Sequence, residues 1–296
     1  MRPADGHAED DQDLDTAKAV LRDSENRPSE ARVYDYYLGG AANFEVDRQF
    51  AEAQIARYPD MPMIASENRR FLHRAVHFLV ESGIRQFVDI GSGVPTEGNV
   101  HQVAEQAFPG ECRVIYIDRD PIAHAHAQIL LREDGDPARH RALRGDLLET
   151  GDLWRRVTAT GLIDFSQPVA LLIVAVLHFI KPDREPEKAV EFLRSKLAPG
   201  SFLVISHASG EGLSSRQQNA AERVRSSYET QAANPGWFRP QHEIEEFFGG
   251  WPLEPPGLVW TPEWHTEKTV SGFTDNPARA FIMAGVARKP RPEPEP

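Results

Sequence analysis

At 296 residues with 40% hydrophobic side chains, the chain is long enough for one large α/β domain with additions, or for two small domains. A formal net charge of −12 argues against nucleic acid or an anionic membrane as the main partner and favours a small-molecule substrate. No apolar run reaches the ~18 residues of a membrane span, no signal peptide is evident, and the single cysteine, Cys112, excludes an intrachain disulfide framework, so a reducing cytoplasm is the expected compartment.

Residues 1–28 read as a disordered acidic tail. Asp5, Glu9, Asp10, Asp11, Asp13 and Asp15 face only Arg2 in its first half, with too few apolar residues to offset the entropy of ordering. Arg32–Gly40 has helical apolar spacing followed by a Gly-Gly stop. Asn43–Tyr58 predicts a second helix with Phe44, Phe50 and Ile55 on its buried side, after which Pro59 and Pro62 break the chain. Ile64–Ser82 predicts a strong amphipathic helix: Phe71, Leu72, Ala75, Val76 and Leu79 recur at helical spacing, and Gly83 is a natural stop. Residues 29–82 therefore read as a helical cap ahead of the first strand.

Strands and helices then alternate. Gln86–Ile90, Arg113–Asp118, Arg141–Gly145, Val169–Leu177 and Ser201–Ser206 predict strands. Helices are predicted over Asn99–Phe108, Pro121–Arg132, Leu153–Thr160 and Glu187–Leu197. Val169–Leu177 is apolar throughout, as a central strand covered on both faces must be. The fold class is α/β, a parallel sheet with helices on both faces. Residues 210–250 form a polar helical insertion, with helices over Leu213–Tyr228 and Gln241–Phe248. Leu258–Trp264 and Arg279–Lys289 read as two strands with no helix between them, hence an antiparallel pair at the sheet edge, and residues 290–296 are a Pro/Glu tail.

Chemistry concentrates at the ends of the first strands. Gln86–Thr96 is a short apolar strand ending in Asp89-Ile90-Gly91-Ser92-Gly93, the pattern by which an α/β sheet turns backbone N–H groups toward a nucleotide-like ligand. A dinucleotide fingerprint wants a third glycine, and position 96 is threonine. By itself the turn can also be read, less favourably, as a tight turn with no ligand. Asp118 lies 29 residues after Asp89, at the tip of the neighbouring strand, where a carboxylate can accept both hydroxyls of a ribose. Asp120 reads as a cap of the helix that starts at Pro121. Asp146, after the third strand, can accept from an adenine amine while neighbouring backbone N–H groups address the ring.

With these residues the chain resembles the S-adenosylmethionine-dependent methyltransferases that have a Rossmann-like sheet. It resembles in particular a bacterial family first catalogued as a domain of unknown function and now named S-adenosyl methyltransferase. The likeness runs from about Ala31 to Lys289. It rests on Arg32-Val33-Tyr34-Asp35-Tyr36-Tyr37-Leu38-Gly39-Gly40, Asn43-Phe44, Asn68-Arg69-x-Phe71-Leu72 and the Gln86–Thr96 turn. Asn99-x-His101, Tyr116-x-Asp118-x-Asp120-Pro121 and Ala175-Val176-Leu177-His178-Phe179 continue it. The resemblance implies a seven-stranded, mostly parallel sheet with an antiparallel closing strand over residues 83–289. It also implies S-adenosylmethionine as cofactor and a small-molecule methyl acceptor. The methionine end of the cofactor is expected at Gly91–Gly93 with Asp89 near its amine and Arg69 near its carboxylate. Tyr34, Tyr37, Gly39 and Gly40 are expected to cap it, and Ser92, Thr96, Arg119, Leu147 and Ala175 complete the expected cofactor contacts.

An oxygen nucleophile needs a base as well as alignment. His178, at the tip of the central strand, is the first candidate and His207 the second, each weighed against a histidine merely satisfied by hydrogen bonds. An amine or thiolate acceptor needs neither. Trp237, Phe238 and Arg239 form an aromatic-plus-cation group in the insertion that either contacts the acceptor or anchors the insertion. His73 and His77, four residues apart, read as a solvated helix face, and His124 and His126 fall on different faces, so no metal is expected. The alternatives to methyl transfer are an NAD-dependent oxidoreductase and a non-enzymatic regulator that binds S-adenosylmethionine.

Overall fold

Runs of β-branched and other apolar residues set the sheet. The computed structural model describes residues 26–96, 98–232, 236–265 and 271–291. Most of the expected tails over residues 1–28 and 290–296 lies outside them. In chain order the elements begin with α1 Glu30–Tyr37, α2 Glu45–Arg57, α3 Met61–Glu81 and β1 Gln86–Ile90. Next come α4 Val100–Ala107, β2 Arg113–Asp118, α5 Pro121–Glu133, β3 His140–Arg144 and α6 Thr150–Ala159. Then follow β4 Ala170–Val174, α7 Pro186–Ser195, β5 Phe202–Ala208 and α8 Ser215–Gln231. The described chain closes with α9 Gln241–Glu246, β6 Val259–Trp260 and β7 Ile282–Arg288.

The seven strands are ordered β3-β2-β1-β4-β5-β7-β6, and only β7 runs antiparallel to its neighbours. From β1 the chain builds outward to β3, then returns to lay β4 against the other side of β1. That reversal leaves a crevice beyond the carboxyl ends of β1 and β4, the place where α/β sheets bind ligands. Alternation along the strands divides the core. Leu171, Ile173, Leu203 and Ile205 meet α6, α7 and α9 on one face. Ala170, Leu172, Phe202 and Val204 meet α3 and α4 on the other. A third cluster joins α1 and α2 to α8 through Val33, Tyr37, Phe50 and Tyr228.

Several boundaries differ from the sequence reading. Pro62 does not break the chain; it sits in the first turn of α3, where a missing N–H costs nothing. The central strand stops at Val174 rather than Leu177, because Ala175 adopts a left-handed φ of 57° and Leu177–Phe179 forms a single 3₁₀ turn. Only Val259 and Trp260 of the expected strand over Leu258–Trp264 pair with β7. Beyond them Thr261–Glu263 turns and drives Trp264 between Phe71 and Phe78. The α3 face expected to be solvated is exposed at His77 but packed at His73 and Arg74: the His73 ring lies against Gly98, and Arg74 donates to the carbonyls of Thr261 at 2.6 Å and Trp264 at 2.7 Å.

Candidate active site

The carboxyl ends of β1 to β4 open into one cleft with about 150 Å³ of accessible volume. A single water needs only about 10–15 Å³, so the cleft is ligand-sized, unlike the apolar gap of about 10 Å³ in the core beside Leu171. At its floor Gly91 and Gly93 take φ of 71° and 68°, a region closed to most side chains. The Gly91 and Ser92 N–H groups both donate to the Ile117 carbonyl, at 2.7 and 3.1 Å, which ties the turn to β2. A β-carbon on Gly91 would stand 2.2 Å from a Val176 methyl, so the floor also fits closely against the end of β4.

Asp118 ends β2 as an oriented acceptor. Its two oxygens receive the N–H groups of Gly93 and Asp120, each at 2.8 Å, and further lone pairs remain. Burial raises its carboxyl to about 6, against those same N–H donors. Asp89 is more enclosed: burial pushes it up to about 7, with Arg69 opposing the rise and Asp118 adding to it. Asp146, after β3, accepts from the Leu148 N–H at 2.9 Å and lies 3.8 Å from Arg119. Arg69 reaches the cleft from α3, where its Nη2 donates to the Thr96 hydroxyl and its buried Nε has no partner among the described residues.

Two polar connections bring α1 over this floor. Arg32, 1% exposed, donates from Nε to Asp47 at 2.6 Å and from Nη1 to Asp120 at 3.4 Å. Asp120 meanwhile caps α5, as expected, by accepting from Ile122 N–H at 2.8 Å, and its second oxygen accepts from the Ser29 hydroxyl. The second connection starts at Ala175, whose N–H donates to the Ser206 hydroxyl at 2.9 Å; that hydroxyl donates to Asn68 at 2.7 Å. Asn68 donates to the Tyr34 hydroxyl at 3.0 Å, and Tyr34 donates to the Ala65 carbonyl at 2.9 Å. Strand tip, helix α3 and helix α1 are thus set by one chain of hydrogen bonds.

Of the residues expected at the cofactor, Tyr34, Arg69, Asp89, Gly91, Ser92, Gly93, Asp118, Arg119, Asp146, Leu147 and Ala175 line this cleft. Thr96 touches it through Arg69. Tyr37, Gly39 and Gly40 do not line it. Tyr37 turns toward Tyr228, and Gly40 backs onto Asp35, leaving no room for a β-carbon, so the glycine pair serves the turn between α1 and α2. His178 and His207 are also outside the lining. The His178 Nδ1 accepts the Ala208 N–H at 3.3 Å, and burial lowers its pKa to about 3. His207 donates from Nδ1 to the Ala208 carbonyl at 2.8 Å and accepts from Arg239 at Nε2, at 2.9 Å. Trp237, Phe238 and Arg239 pack behind the wall rather than in the cleft. Asn68, Val176, Phe179 and Ile180 line it and were not assigned from sequence, although Asn68, Val176 and Phe179 lie within the quoted motifs. Among the described residues no group of three or more His, Cys, Asp or Glu could hold a metal ion, and no helix is long and apolar enough to cross a membrane.

The cleft fits a zwitterionic nucleoside. The buried Arg69 Nε has no acceptor among the described residues, Asp118 keeps lone pairs for hydroxyls, and the glycine floor admits close backbone approach. Comparison with known proteins agrees. A family model described as S-adenosyl methyltransferase matches residues 16–290. A solved structure from Thermobifida fusca, described as a candidate methyltransferase, is 35% identical with a TM-score of 0.82, covering 90% of this chain and 97% of that one. A DUF574 family protein from Streptomyces avermitilis is 32% identical with a TM-score of 0.82, covering 90% of this chain and 99% of that one. No curated protein matches. With the site and the match over most of its length in agreement, the chain belongs to the S-adenosyl methyltransferase family, enzymes that depend on S-adenosylmethionine.

Proposed function

We propose that this enzyme methylates a small molecule that brings its own nucleophile, such as an amine or thiolate, and that it uses no histidine base. The observation that carries the reading is the convergence of Asp89, Asp118 and Asp146, from three successive strand ends, with Arg69 in one cleft. Asp118 takes the ribose hydroxyls, and Asp146 with the Leu147 backbone takes the adenine. The Gly91–Gly93 turn, Asp89 and Arg69 hold the amino-acid end, and Tyr34 closes over it. When bound, S-adenosylmethionine supplies a methyl group on a sulfonium. The chain's part is to fix the line of approach and exclude water, with residues 29–82 as cap and residues 210–250 on the acceptor side. Neither His178 nor His207 suits a base: their acceptor nitrogens are engaged by the Ala208 N–H and by Arg239, and burial keeps both neutral. The net charge of −12 and the single buried thiol accord with a cytoplasmic enzyme that does not act on nucleic acid.

Calorimetry with S-adenosylhomocysteine tests the assignment. Asp118→Ala should cost about 1.5–3 kcal/mol of binding, roughly 10- to 150-fold in affinity. A wild-type protein that does not bind the ligand rejects the reading; a variant that binds as tightly as wild type rejects the role of Asp118. A screen of amine, thiol and hydroxyl acceptors with methyl-labelled cofactor then identifies the nucleophile.

A further inference from the structure

The wall of the cleft beyond β4 is a weak piece of backbone. Val176 is followed by one 3₁₀ turn, Leu177–Phe179, whose own bonds reach only the Val176 carbonyl, from the Phe179 N–H at 2.9 Å, and the Leu177 carbonyl, from the Ile180 N–H at 3.1 Å. Phe179 and Ile180, at the end of that turn, face the cleft. Two residues of the insertion, Trp237 and Arg239, donate to the Leu177, His178 and Ile180 carbonyls from outside the turn. The Trp237 N–H donates to the His178 carbonyl at 2.7 Å. Arg239 donates from Nη1 to the Leu177 carbonyl at 3.1 Å and from Nη2 to the Ile180 carbonyl at 3.3 Å.

Arg239 is itself held in a fixed pose. Its backbone N–H donates to the Ala208 carbonyl at 3.2 Å, at the end of β5. Its Nη1 also donates to His207 Nε2 at 2.9 Å, and its guanidinium lies 5.4 Å over the Phe247 ring. The side chain is 3% exposed, and the nearest carboxylate, Glu187, is 3.9 Å away. A buried cation whose close partners are neutral acceptors spends its hydrogen bonds on geometry. Only the planar fork of arginine reaches several acceptors at once; a lysine ammonium cannot span them.

We propose that Arg239 is a positioning residue: it clips the Leu177–Ile180 turn to the end of β5 so that Phe179 and Ile180 form the wall of the cofactor cleft. It acts through that wall and does not touch the ligand. The inference rests on the cofactor reading of the cleft, and the experiment separates the two.

S-adenosylhomocysteine affinity is measured by calorimetry for wild type, Arg239→Lys, Phe179→Ala and the double variant. Amide hydrogen exchange is followed over residues 176–181. Arg239→Lys is expected to bind about tenfold more weakly and to exchange faster in that segment alone. In the Phe179→Ala background the same change is expected to add little, because the wall through which it acts is already gone. Arg239→Gln buries no charge and tests the same point should the lysine variant not fold. Failure of wild type to bind overturns the cofactor reading. Binding by wild type with unchanged affinity in the Arg239 variants overturns the clip alone. So does full additivity with Phe179→Ala, since a generally loosened fold lowers affinity whether or not the wall is present.

Discussion

Asp89 is only 6% exposed, and that decides how it behaves. Burial raises its carboxyl from 3.8 to about 7, only partly opposed by Arg69. A carboxyl raised on folding stabilises the fold below its unfolded pKa, and that contribution is lost as pH rises through the folded value. At pH 8 Asp89 is therefore a buried charge held for binding. Asp89→Asn is expected to raise the melting temperature at pH 8, by an amount that shrinks as pH falls toward 5, and to weaken S-adenosylhomocysteine binding. Scanning calorimetry across that range checks the first point, and a variant less stable than wild type at pH 8 contradicts it. At this scale the sequence was informative wherever position along a strand settles direction. Asp89, Asp118 and Asp146 lie at or just past the carboxyl ends of neighbouring parallel strands, so one cleft receives all three. His178 was opaque for the opposite reason. It follows Ala175, whose left-handed backbone no residue type there advertises, and its ring direction is set by a partner 30 residues away, Ala208. Arg32 and Asp47 were missed because a buried ion pair between two helices leaves no periodic mark.

The floor of the cleft depends on two elements meeting without a side chain between them. Gly91→Ala would place a methyl 2.2 Å from Val176 and force alanine into φ of 71°. Left-handed backbone alone costs about 1–2 kcal/mol, and the contact must also be relieved by moving the end of β1 or β4. The variant is expected to stay folded but to lose tenfold or more in ligand affinity, and calorimetry beside circular dichroism checks it. A Gly91→Ala protein that binds like wild type would mean the floor is not the binding surface. Element types were legible from period and flanking glycines. Element ends were less so, since they are set by contacts between elements. β6 is short because Trp264 is drawn into the α3 packing, and β4 ends where Ala175 takes its left-handed φ.

For the whole molecule the sequence suggested a cap over residues 29–82 and a sheet domain after it. The packing divides α3 between the two: its start, at Ile64 and Ala65, joins α1, α2 and α8, whereas Phe71, Leu72, Val76 and Leu79 cover the sheet itself. A chain beginning at Gly83 is therefore expected to lack a fixed core, because Phe87, Phe202 and Trp264 would be left uncovered. Loss of near-ultraviolet circular dichroism with binding of a hydrophobic dye would show this; a cooperative melt would refute it. The strand order also has a consequence for biosynthesis. Every residue of β5 pairs with β7, which begins 74 residues further on (282 − 208). At about 5–20 residues per second of synthesis, the apolar edge of β5 waits roughly 4–15 s for its neighbour. During that interval it is an open template for another nascent chain. The polar insertion, residues 210–250, is the first segment to emerge in that interval.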